Sequence, residues 1–307
     1  MLSGDGLRLN PTELTAQGNI GRLYGSDHDC RRALAGDFGL HNVLGYEKAF
    51  AADSVAMDYL RPESSFYFLK QLATEIYMDI FAPHLDPLPA TATVLDAGCG
   101  IGRFTLPLAE RFAEVTAFDA CRSAVLCAKR HIEESSRNNV DLQWADASRP
   151  ADLPPASFDV LWAMEWICYT ADPARTLGLL ARVARPNARL FLSVEALPGA
   201  LFGAPLPEPE AVSAALAGQP VLIPEDRYVR YFHRDWLTEL VTEAGFVVIE
   251  AFDAHYFGEG PLWQALDDAR LSDAEYRRDV RAAERACRGD DRMRNLARTT
   301  GVVARKA

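Results

Sequence analysis

Short apolar runs alternate with helical periodicities between residues 93 and 251, and this alternation predicts a parallel sheet covered by helices. Val94 and Leu95 close a first strand, and Phe104, Leu108 and Phe112 then recur at helical spacing. Further strands are predicted at 115–118, 142–146, 158–164, 189–194 and 246–251, and further helices at 173–184 and 233–244. This order of elements is typical of a doubly wound α/β fold.

Helical patterns flank this core on both sides. Apolar residues recur at helical spacing from Ser64 to Phe81, which predicts an amphipathic helix. The expected organisation is an N-terminal helical arm or cap at 1–92, a core at 93–254 with a proline-rich lid at 197–230, a helical insertion at 255–298 with helices at 262–269 and 273–287, and a last core strand at 299–307. Arm, lid and insertion are expected to roof the crevice at the carboxyl ends of the strands, which leaves room for a small substrate.

A glycine-rich turn joins the first strand to its helix. Gly98, Gly100 and Gly102 stand at alternate positions, and glycine is the residue that reaches positive φ and admits a ligand close to the backbone. Asp119 ends the second strand, where a carboxylate can accept hydrogen bonds from both hydroxyls of a ribose. The pattern therefore predicts a nucleotide-binding turn, and on these residues alone a nicotinamide cofactor would fit equally well.

Five segments between roughly residues 90 and 255 match one protein family in order and spacing. They are Asp96-Ala-Gly-Cys-Gly-Ile-Gly102, Phe118-Asp119, Ala145-Asp146-Ala147, Phe158-Asp159-Val160 and Arg185-Pro-Asn-Ala-Arg-Leu190. This set resembles the class I S-adenosylmethionine-dependent methyltransferases. The resemblance implies a Rossmann-like, doubly wound seven-stranded sheet, S-adenosyl-L-methionine as cofactor and S-adenosyl-L-homocysteine as product. It also implies that Asp119 holds the ribose hydroxyls and that Asp146, with the amide of Ala147, holds the adenine.

The N-terminal arm adds two candidates for the methionine end of the cofactor. An Asn-x-x-Gly-Tyr segment ending at Tyr46 is similar to the arm that closes over the cofactor in several small-molecule methyltransferases. Tyr46 and Arg61 are therefore candidates, with helix packing and a surface position as their respective alternatives. The complete set of predicted cofactor contacts is Tyr46, Arg61, Asp96, Gly98, Cys99, Gly100, Gly102, Phe118, Asp119, Ala120, Asp146, Ala147 and Met164.

The segment after the fourth strand departs from a pattern of the resembled family. Many relatives carry Glu-x-Leu-Glu-His here, whereas this chain has Glu165 in register and Cys168-Tyr169 in place of the Glu-His pair. The departure disfavours an O-methylation driven by that histidine. The candidate catalytic residues are Glu165, Tyr169 and His255, and the candidate substrate-binding residues are Glu165, Tyr169, Glu195 and Tyr256. A turn cap for Glu165, a core position for Tyr169 and a satisfied loop histidine at His255 are the alternatives.

Charge and cysteine content narrow the classes of partner. The chain has 307 residues, 49% of them hydrophobic, and a formal net charge of -11 at pH 7. Because nucleic-acid binding depends on neutralising phosphates, this balance argues against a nucleic-acid partner. It favours a small cationic substrate, with solubility alone as the alternative. The 6 cysteines lack paired ligand spacing, so no metal is expected.

The sequence also allows predictions of the cellular location and the oligomeric state. No apolar run is long enough to span a bilayer and no signal pattern is found at the N-terminus, so a cytoplasmic location with no membrane partner is expected. The N-terminal helices make a homodimer plausible.

The leading functional hypothesis is methylation of an amine on a small cationic metabolite, such as an amino sugar or aminoglycoside. It follows from the acidic balance, the roofed crevice and the missing histidine, and the layout resembles tailoring methyltransferases of antibiotic biosynthesis. O- or C-methylation of a neutral small molecule is the alternative within enzymes. A cofactor-binding module without turnover and a nicotinamide oxidoreductase are alternatives from other classes.

Overall fold

A seven-stranded sheet with helices on both faces forms the centre of the protein. The computed structural model describes residues 38–146, 153–197, 199, 209–223, 227–258 and 260–307. The predicted contact Ala147, the part of the predicted arm before residue 38, and parts of the predicted lid lie outside the described residues.

The strands are β1 (Thr93–Ala97), β2 (Glu114–Asp119), β3 (Val140–Trp144), β4 (Phe158–Met164), β5 (Ala184–Glu195), β6 (Val221–Leu222), β7 (Tyr228–Val229), β8 (Phe246–Ala254) and β9 (Thr299–Lys306). The α-helices are α1 (Phe38–Ala52), α2 (Ser54–Met57), α3 (Tyr67–Leu85), α4 (Thr105–Arg111), α5 (Arg122–Glu134), α6 (Pro173–Val183), α7 (Pro209–Leu216), α8 (Arg234–Glu243) and α9 (Ala274–Arg288).

The order of strands in the main sheet is β3-β2-β1-β4-β5-β9-β8. The first five strands pair in parallel, while β9 runs antiparallel between β5 and β8. Parallel strands with both faces covered read as continuous apolar runs, and β4 is buried at every position except Asp159. The predicted doubly wound, seven-stranded sheet is confirmed.

The two faces of the sheet have different cores. On one face, α3 packs Phe81 against Trp162, Phe191 and Phe252, with ring centroids 5.0, 5.2 and 5.3 Å apart. On the other face, α6 and α8 cover the sheet with a mostly aliphatic cluster that includes Leu177 and Leu237. The carboxyl ends of β1, β2 and β4 are thereby held between two packed layers and meet at one edge of the sheet.

Several predicted elements have different bounds or a different type in the structure. Strand β5 begins at Ala184, five residues before the predicted start, with a register irregularity opposite Phe158 and Val160. The predicted helix at 262–269 is instead two 3₁₀ turns, Trp263–Ala265 and Asp268–Arg270. The Asp267 side chain accepts a hydrogen bond from the amide of Ala269, which starts a new turn and interrupts a continuous helix.

The helical insertion packs against a different part of the fold than predicted. Helix α9 packs on the outer side of α3, where Arg281 and Arg285 pair with Asp79 and Arg277 pairs with Glu75. Ion pairs with the arm helix therefore fix α9 at the side of the sheet. The expectation that the insertion roofs the crevice is wrong for the described residues, except for Arg298 at its end.

The described part of the predicted lid is more regular than a loop. It contains α7 and the two-stranded hairpin β6–β7. The side chain of Asn42 on α1 joins this hairpin to the segment after β4, because it donates to the carbonyls of Tyr169 and Tyr228 at 3.2 and 2.8 Å and accepts from the Tyr228 amide at 2.7 Å. In the part of the chain that the structure describes, no helix is long and apolar enough to cross a membrane.

Candidate active site

A cavity of about 420 Å³ opens where β1, β2 and β4 end. One part, here called the acidic end, consists of Asp96, Gly98 to Gly100, Phe118 to Cys121, Ala145 and Asp146. The other part, here called the basic end, consists of Lys70, Arg103, Glu165, Tyr169, Arg227 and Arg298. The cavity lies within the usual size range of small-molecule sites, which is roughly 300–1,000 Å³.

The glycine turn forms the floor of the acidic end. Gly98 has φ 71°, and a Cβ added to it would lie 2.2 Å from Cγ of Trp166, so both backbone and space require glycine. At Gly100, with φ 55°, the nearest atom to an added Cβ is the Tyr59 hydroxyl at 3.8 Å. The backbone at Gly100 is therefore open to a ligand. Gly102, with φ 89°, does not line the cavity and supports the turn from below.

Asp119 is held rigidly at the end of β2. Its Oδ2 accepts the amide of Gly100 at 2.9 Å and its Oδ1 accepts the amide of Cys121 at 2.8 Å. Burial raises the pKa of this carboxyl to about 6, although these amides favour the ionised form. The side chain keeps acceptor capacity toward the cavity, because each carboxylate oxygen can accept more than one hydrogen bond.

A second buried carboxyl, Asp96, lies behind the glycine turn. The hydroxyl of Thr105 donates to its Oδ2 at 2.7 Å. Burial raises the pKa of Asp96 to about 7, and the nearby Asp119 adds to the shift. The acidic end thus has two carboxyls that ionise less readily than usual.

The remaining residues of the acidic end fit a nucleotide. Phe118, Ala120 and Asp146 line the cavity beside the ring of Trp166, which meets Phe118 edge-on at 5.6 Å between centroids. Fixed carboxylates for ribose hydroxyls, an open glycine backbone and flat apolar walls are the groups that an adenosine-containing cofactor needs. The residues present therefore fit S-adenosylmethionine.

Of the two residues of the N-terminal arm that were predicted to contact the cofactor, one lines the cavity. Tyr46 lines the cavity, packed edge-on against Phe50 at 5.5 Å between centroids. Arg61 does not line it, because its side chain, 40% exposed, pairs with Glu134 on α5 and with Asp58. Arg61 thus has the surface position that was the alternative to a cofactor contact. Tyr59, which was not predicted as a site residue, lines the cavity instead.

Glu165 ends β4 at the centre of the basic end. The amide of Glu165, at φ 50°, donates to the Ser193 carbonyl at 3.0 Å, and its carboxylate lies 3.3 Å from both Arg103 and Arg298. Burial alone would raise the pKa of Glu165, but Arg298 and Arg103 hold it well below its usual range. Glu165 is therefore an ionised counterion and a weak base.

Tyr169 lines the basic end and is fixed from behind. Its hydroxyl donates to Oε1 of Glu195 at 2.8 Å, and the same oxygen accepts Nη2 of Arg298 at 2.7 Å. Glu195 is only 5% exposed and does not line the cavity. The guanidinium of Arg227 lies over the Tyr169 ring, 5.2 Å from its centroid. Glu195 therefore acts through Tyr169 and Arg298.

His255 and Tyr256 do not line the cavity. They are 3% and 1% exposed, and the His255 ring packs edge-on against Tyr77 with centroids 4.4 Å apart. Strand β8 continues to Ala254, three residues beyond the predicted end, and the chain then turns into the core at His255 with φ 66°. The geometry does not support their predicted catalytic and substrate-binding roles.

A buried polar cluster lies outside the cavity. Possible ligand atoms of Asp58, Cys127 and His131 lie within 4.8 Å of one another. Nε2 of His131 contacts Asp58 at 2.7 Å, and Arg61 and Arg130 also pair with this carboxylate. Burial raises the pKa of Cys127 to about 12, which disfavours the thiolate that binds metals. The cluster is best described as an ion-pair network that ties the end of α2 to α5.

Several residues that were not predicted from the sequence also line the cavity, and among them are six with polar or aromatic side chains: Tyr59, Lys70, Arg103, Trp166, Arg227 and Arg298. Arg103 and Trp166 could have been predicted from the sequence, because Arg103 directly follows Gly102 and Trp166 directly follows Glu165, and both of these neighbours are predicted site residues. The other four come from segments whose approach to the strand ends depends on tertiary packing.

Comparison with known proteins identifies the family. The profile of the methyltransferase domain family matches residues 68–251, which is more than half of the chain. The protein therefore belongs to the methyltransferase domain family. Family and fold together imply S-adenosylmethionine as the cofactor.

Two curated relatives are similar over part of the chain. The ubiquinone biosynthesis O-methyltransferase of Idiomarina loihiensis is 36% identical over 100 residues, covering 33% of this chain and 41% of the relative. An O-methyltransferase of Pyrenophora dematioidea is 31% identical over 191 residues, covering 60% of this chain and 64% of the relative. The chain thus spans less than two thirds of the length of either relative.

A solved structure aligns with a larger share of this chain than either relative does, and it supports the fold. An S-adenosylmethionine dependent methyltransferase from Mesorhizobium loti aligns with a TM-score of 0.51 and 17% identity, covering 74% of this chain and 97% of the other. At this identity the similarity shows the fold alone.

Proposed function

We propose that this methyltransferase transfers a methyl group from S-adenosylmethionine to an acidic oxygen of a small molecule, such as a phenol, an enol or a carboxyl group. The observation that carries the proposal is the basic end, where Lys70, Arg103, Arg227 and Arg298 line the cavity. Positive groups stabilise an ionised oxygen, and an ionised oxygen is the stronger nucleophile.

The acidic end would hold the cofactor. Asp119 would accept hydrogen bonds from the ribose hydroxyls, Asp146 would hold the adenine, and Tyr46 would cover the methionine end. When bound, S-adenosylmethionine supplies a methyl group activated by its sulfonium, which is transferred by in-line displacement. The chain then contributes alignment and the exclusion of water, which are large terms in such a reaction.

The basic end would favour loss of the acceptor's proton without a strong base. Among the described residues that line the cavity there is no histidine. Glu165 is a weak base because two arginines stabilise its charge, and the Tyr169 hydroxyl already donates to Glu195. Cations near an acidic hydroxyl lower its pKa, so ionisation to solvent is sufficient. The names of the two relatives, both O-methyltransferases, support oxygen as the acceptor atom.

The second candidate is methylation of an amine on a cationic metabolite. The net charge of -11 favours it, and its most specific form is the aminoglycoside N-methyltransferase of gentamicin assembly. Four cations at the basic end oppose it, because they repel a polycationic acceptor. Local charge acts on the bound acceptor more strongly than the net charge of the surface, so we favour oxygen.

The experiment is transfer of a ¹³C-labelled methyl group from S-adenosylmethionine to a panel of phenols, hydroxy acids, amines and aminoglycosides. The chemical shift of the labelled carbon distinguishes O-methyl, N-methyl and C-methyl products. We expect label on oxygen. Label on nitrogen or carbon would contradict the proposal, and label in no product despite saturable cofactor binding would support a cofactor-binding module without turnover.

A further inference from the structure

We propose that Glu47 on α1 is a positioning residue for the cofactor, because it holds Tyr46 over the acidic end and fixes the start of α5 beside Asp119. The inference rests on the proposed function, since it takes the acidic end as the place where the cofactor binds. It goes further by assigning a role to a buried carboxylate that does not itself line the cavity.

Glu47 caps α5 from a distant part of the chain. Helix α5 begins at Arg122, and the side chain of its own N-cap residue, Cys121, makes no capping hydrogen bond. The first amides of a helix need an acceptor from outside the helix. Oε1 of Glu47 accepts the amide of Ser123 at 3.1 Å, and Oε2 accepts the Ser123 hydroxyl at 2.5 Å. A carboxylate at this position also interacts favourably with the helix dipole.

The same contact is linked to the cofactor side of the turn through Cys121. The thiol of Cys121 donates to Oε1 of Glu47 at 3.4 Å, and its amide donates to Oδ1 of Asp119 at 2.8 Å. Cys121 itself lines the cavity. Two carboxylates, one from α1 and one from the end of β2, therefore hold the start of α5. Loss of Glu47 would loosen the segment to which Asp119 is bonded.

Glu47 also sets the orientation of the aromatic residues of the arm. Tyr46 directly precedes it and lines the cavity. Phe50, one helical turn further on, packs in an apolar cluster with Ile101 of the glycine turn, and Tyr46 and Tyr59 pack against this cluster. Apolar packing has no preferred direction. The hydrogen bonds of Glu47 do have one, so they fix the rotation of α1 that brings Tyr46 over the cavity.

The arm contacts α5 at a second place, away from the cavity. Nε2 of His131 lies 2.7 Å from Asp58, and Arg61 pairs with Glu134 near the end of α5. These four residues do not line the cavity. Glu47 is thus the contact with α5 that lies beside the acidic end, and the pair of Arg61 and Glu134 provides a comparison.

The charge of Glu47 acts on Asp119 as well. Burial is the main reason that the pKa of Asp119 is raised, and the nearby Glu47 adds to the shift. The other titratable or charged groups beside these two carboxylates are Asp96, Cys99, Cys121, Arg122, Asp146, Tyr46 and Tyr59. Burial raises the pKa of both thiols and both phenols, so they stay neutral between pH 5 and pH 7.

The test is calorimetry of S-adenosylhomocysteine binding to the full chain at pH 7.5. Glu47→Ala should bind it about tenfold more weakly than wild type, because Tyr46 and the start of α5 lose their common anchor. Glu134→Ala is the matched control. It removes a carboxylate from the contact between arm and α5 that lies away from the cavity, and it should keep the wild-type affinity.

A double-mutant cycle tests whether Glu47 acts through Tyr46. Tyr46→Ala should weaken binding about tenfold in the wild type and less than about threefold in the Glu47→Ala background. The second loss is smaller because a tyrosine that is no longer positioned has less binding to lose. Two residues that contribute independently would give equal losses in both backgrounds.

Glu47→Gln separates the charge of Glu47 from its hydrogen bonds. The amide side chain can still accept the Ser123 amide, but it carries no charge, so the pKa of Asp119 should fall. The affinity for S-adenosylhomocysteine, which should decrease about tenfold from pH 7 to pH 5 in wild type, should decrease about fivefold or less in this variant. Asp96 titrates in the same range in both proteins and does not account for the difference.

Several results would overturn the inference. They are wild-type affinity in folded Glu47→Ala, an equal loss in Glu134→Ala, no effect or an additive effect of Tyr46→Ala, or the same pH profile in Glu47→Gln and wild type. If Glu47→Ala does not fold, the pH profile of Glu47→Gln decides. Failure of S-adenosylhomocysteine to bind the wild-type protein would instead overturn the proposed function.

Discussion

The two ends of the cavity are built in different ways. The acidic end comes from two short stretches at adjacent strand ends, 96–100 and 118–121, with Ala145 and Asp146 beside them. The basic end needs α3, the end of β4, the segment before β7 and the segment before β9. The acidic end, where we propose that the cofactor binds, is thus encoded locally, whereas the basic end, which we propose for the acceptor, depends on how distant segments pack.

The electrostatics of the two ends are also opposite. Burial raises the pKa of Asp119 to about 6, and its carboxylate faces the cavity with only backbone amides as described hydrogen-bond partners. In contrast, two arginines hold the pKa of Glu165 well below its usual range, although burial opposes them. The first carboxylate is available to a ligand, and the second stabilises the fold.

The largest expected effect is at the basic end. Arg298→Met should lower the free energy of unfolding by about 3–5 kcal/mol, because it leaves two buried carboxylates without this partner. Urea unfolding at pH 7.5 measures it. The depressed pKa of Glu165 means that the wild-type contribution is present above the unfolded pKa and is lost as pH falls, so the difference between variant and wild type should shrink in acid.

Arg278→Met on the exposed face of α9 is the control and should change stability by less than about 0.5 kcal/mol. A similarly small effect of Arg298→Met would mean that the basic end does not depend on this bridge.

The next effect is at the glycine turn. Gly98→Ala should cost at least about 2 kcal/mol in stability or cofactor binding, because its Cβ would overlap Trp166 at 2.2 Å and φ is 71°. Thermal melting with and without S-adenosylhomocysteine measures both terms. Gly178→Ala is the matched control: it lies in α6 with nothing within 4 Å of the added Cβ, and it should stabilise by about 0.5–1 kcal/mol. Equal melting of the two variants would refute the packing argument.

Asp119→Ala should weaken S-adenosylhomocysteine binding by about 1.5–3 kcal/mol, because charged hydrogen bonds to the ribose hydroxyls are lost. Calorimetry measures the change. Asp141→Ala on β3 removes an exposed carboxylate outside the cavity and should have no effect. Unchanged affinity in Asp119→Ala would remove this residue from the site.

The smallest predicted effect is a pH dependence of cofactor binding. Since the pKa of Asp119 is raised to about 6, a proton competes with the ribose hydroxyls below that pH. Affinity should be nearly constant above pH 7 and fall about tenfold between pH 7 and pH 5. In Asp119→Asn this part of the profile should be flat, and a profile with the same slope as wild type would assign the titration to another group.

The sequence was sufficient for elements whose signal is local. The strand β4 at 158–164, the helix starting at Pro173 and the strand from Thr299 to Lys306 were predicted at the observed positions, because apolar runs, caps and turn residues mark them. The positive φ of the glycine turn likewise follows from its composition.

The rest of the site depends on packing that no local pattern encodes. Arg61 has a charged side chain that suits a ligand contact, but this side chain pairs with Glu134 on a neighbouring helix. His255 follows a strand end, but the chain turns it into the core beside Tyr77. Arg227 and Arg298 could not be identified as site residues from the sequence, because their segments meet at the end of β4 only in the folded protein.

The division of the cavity into two ends is tested most directly by titrating S-adenosylhomocysteine into three proteins by calorimetry: wild type, Asp119→Asn and Arg227→Gln. The account predicts saturable binding to wild type, at least about tenfold weaker binding to Asp119→Asn, and wild-type affinity in Arg227→Gln. Equal loss in both folded variants, or loss in neither, would contradict the assignment of the cofactor to the acidic end and of the acceptor to the basic end.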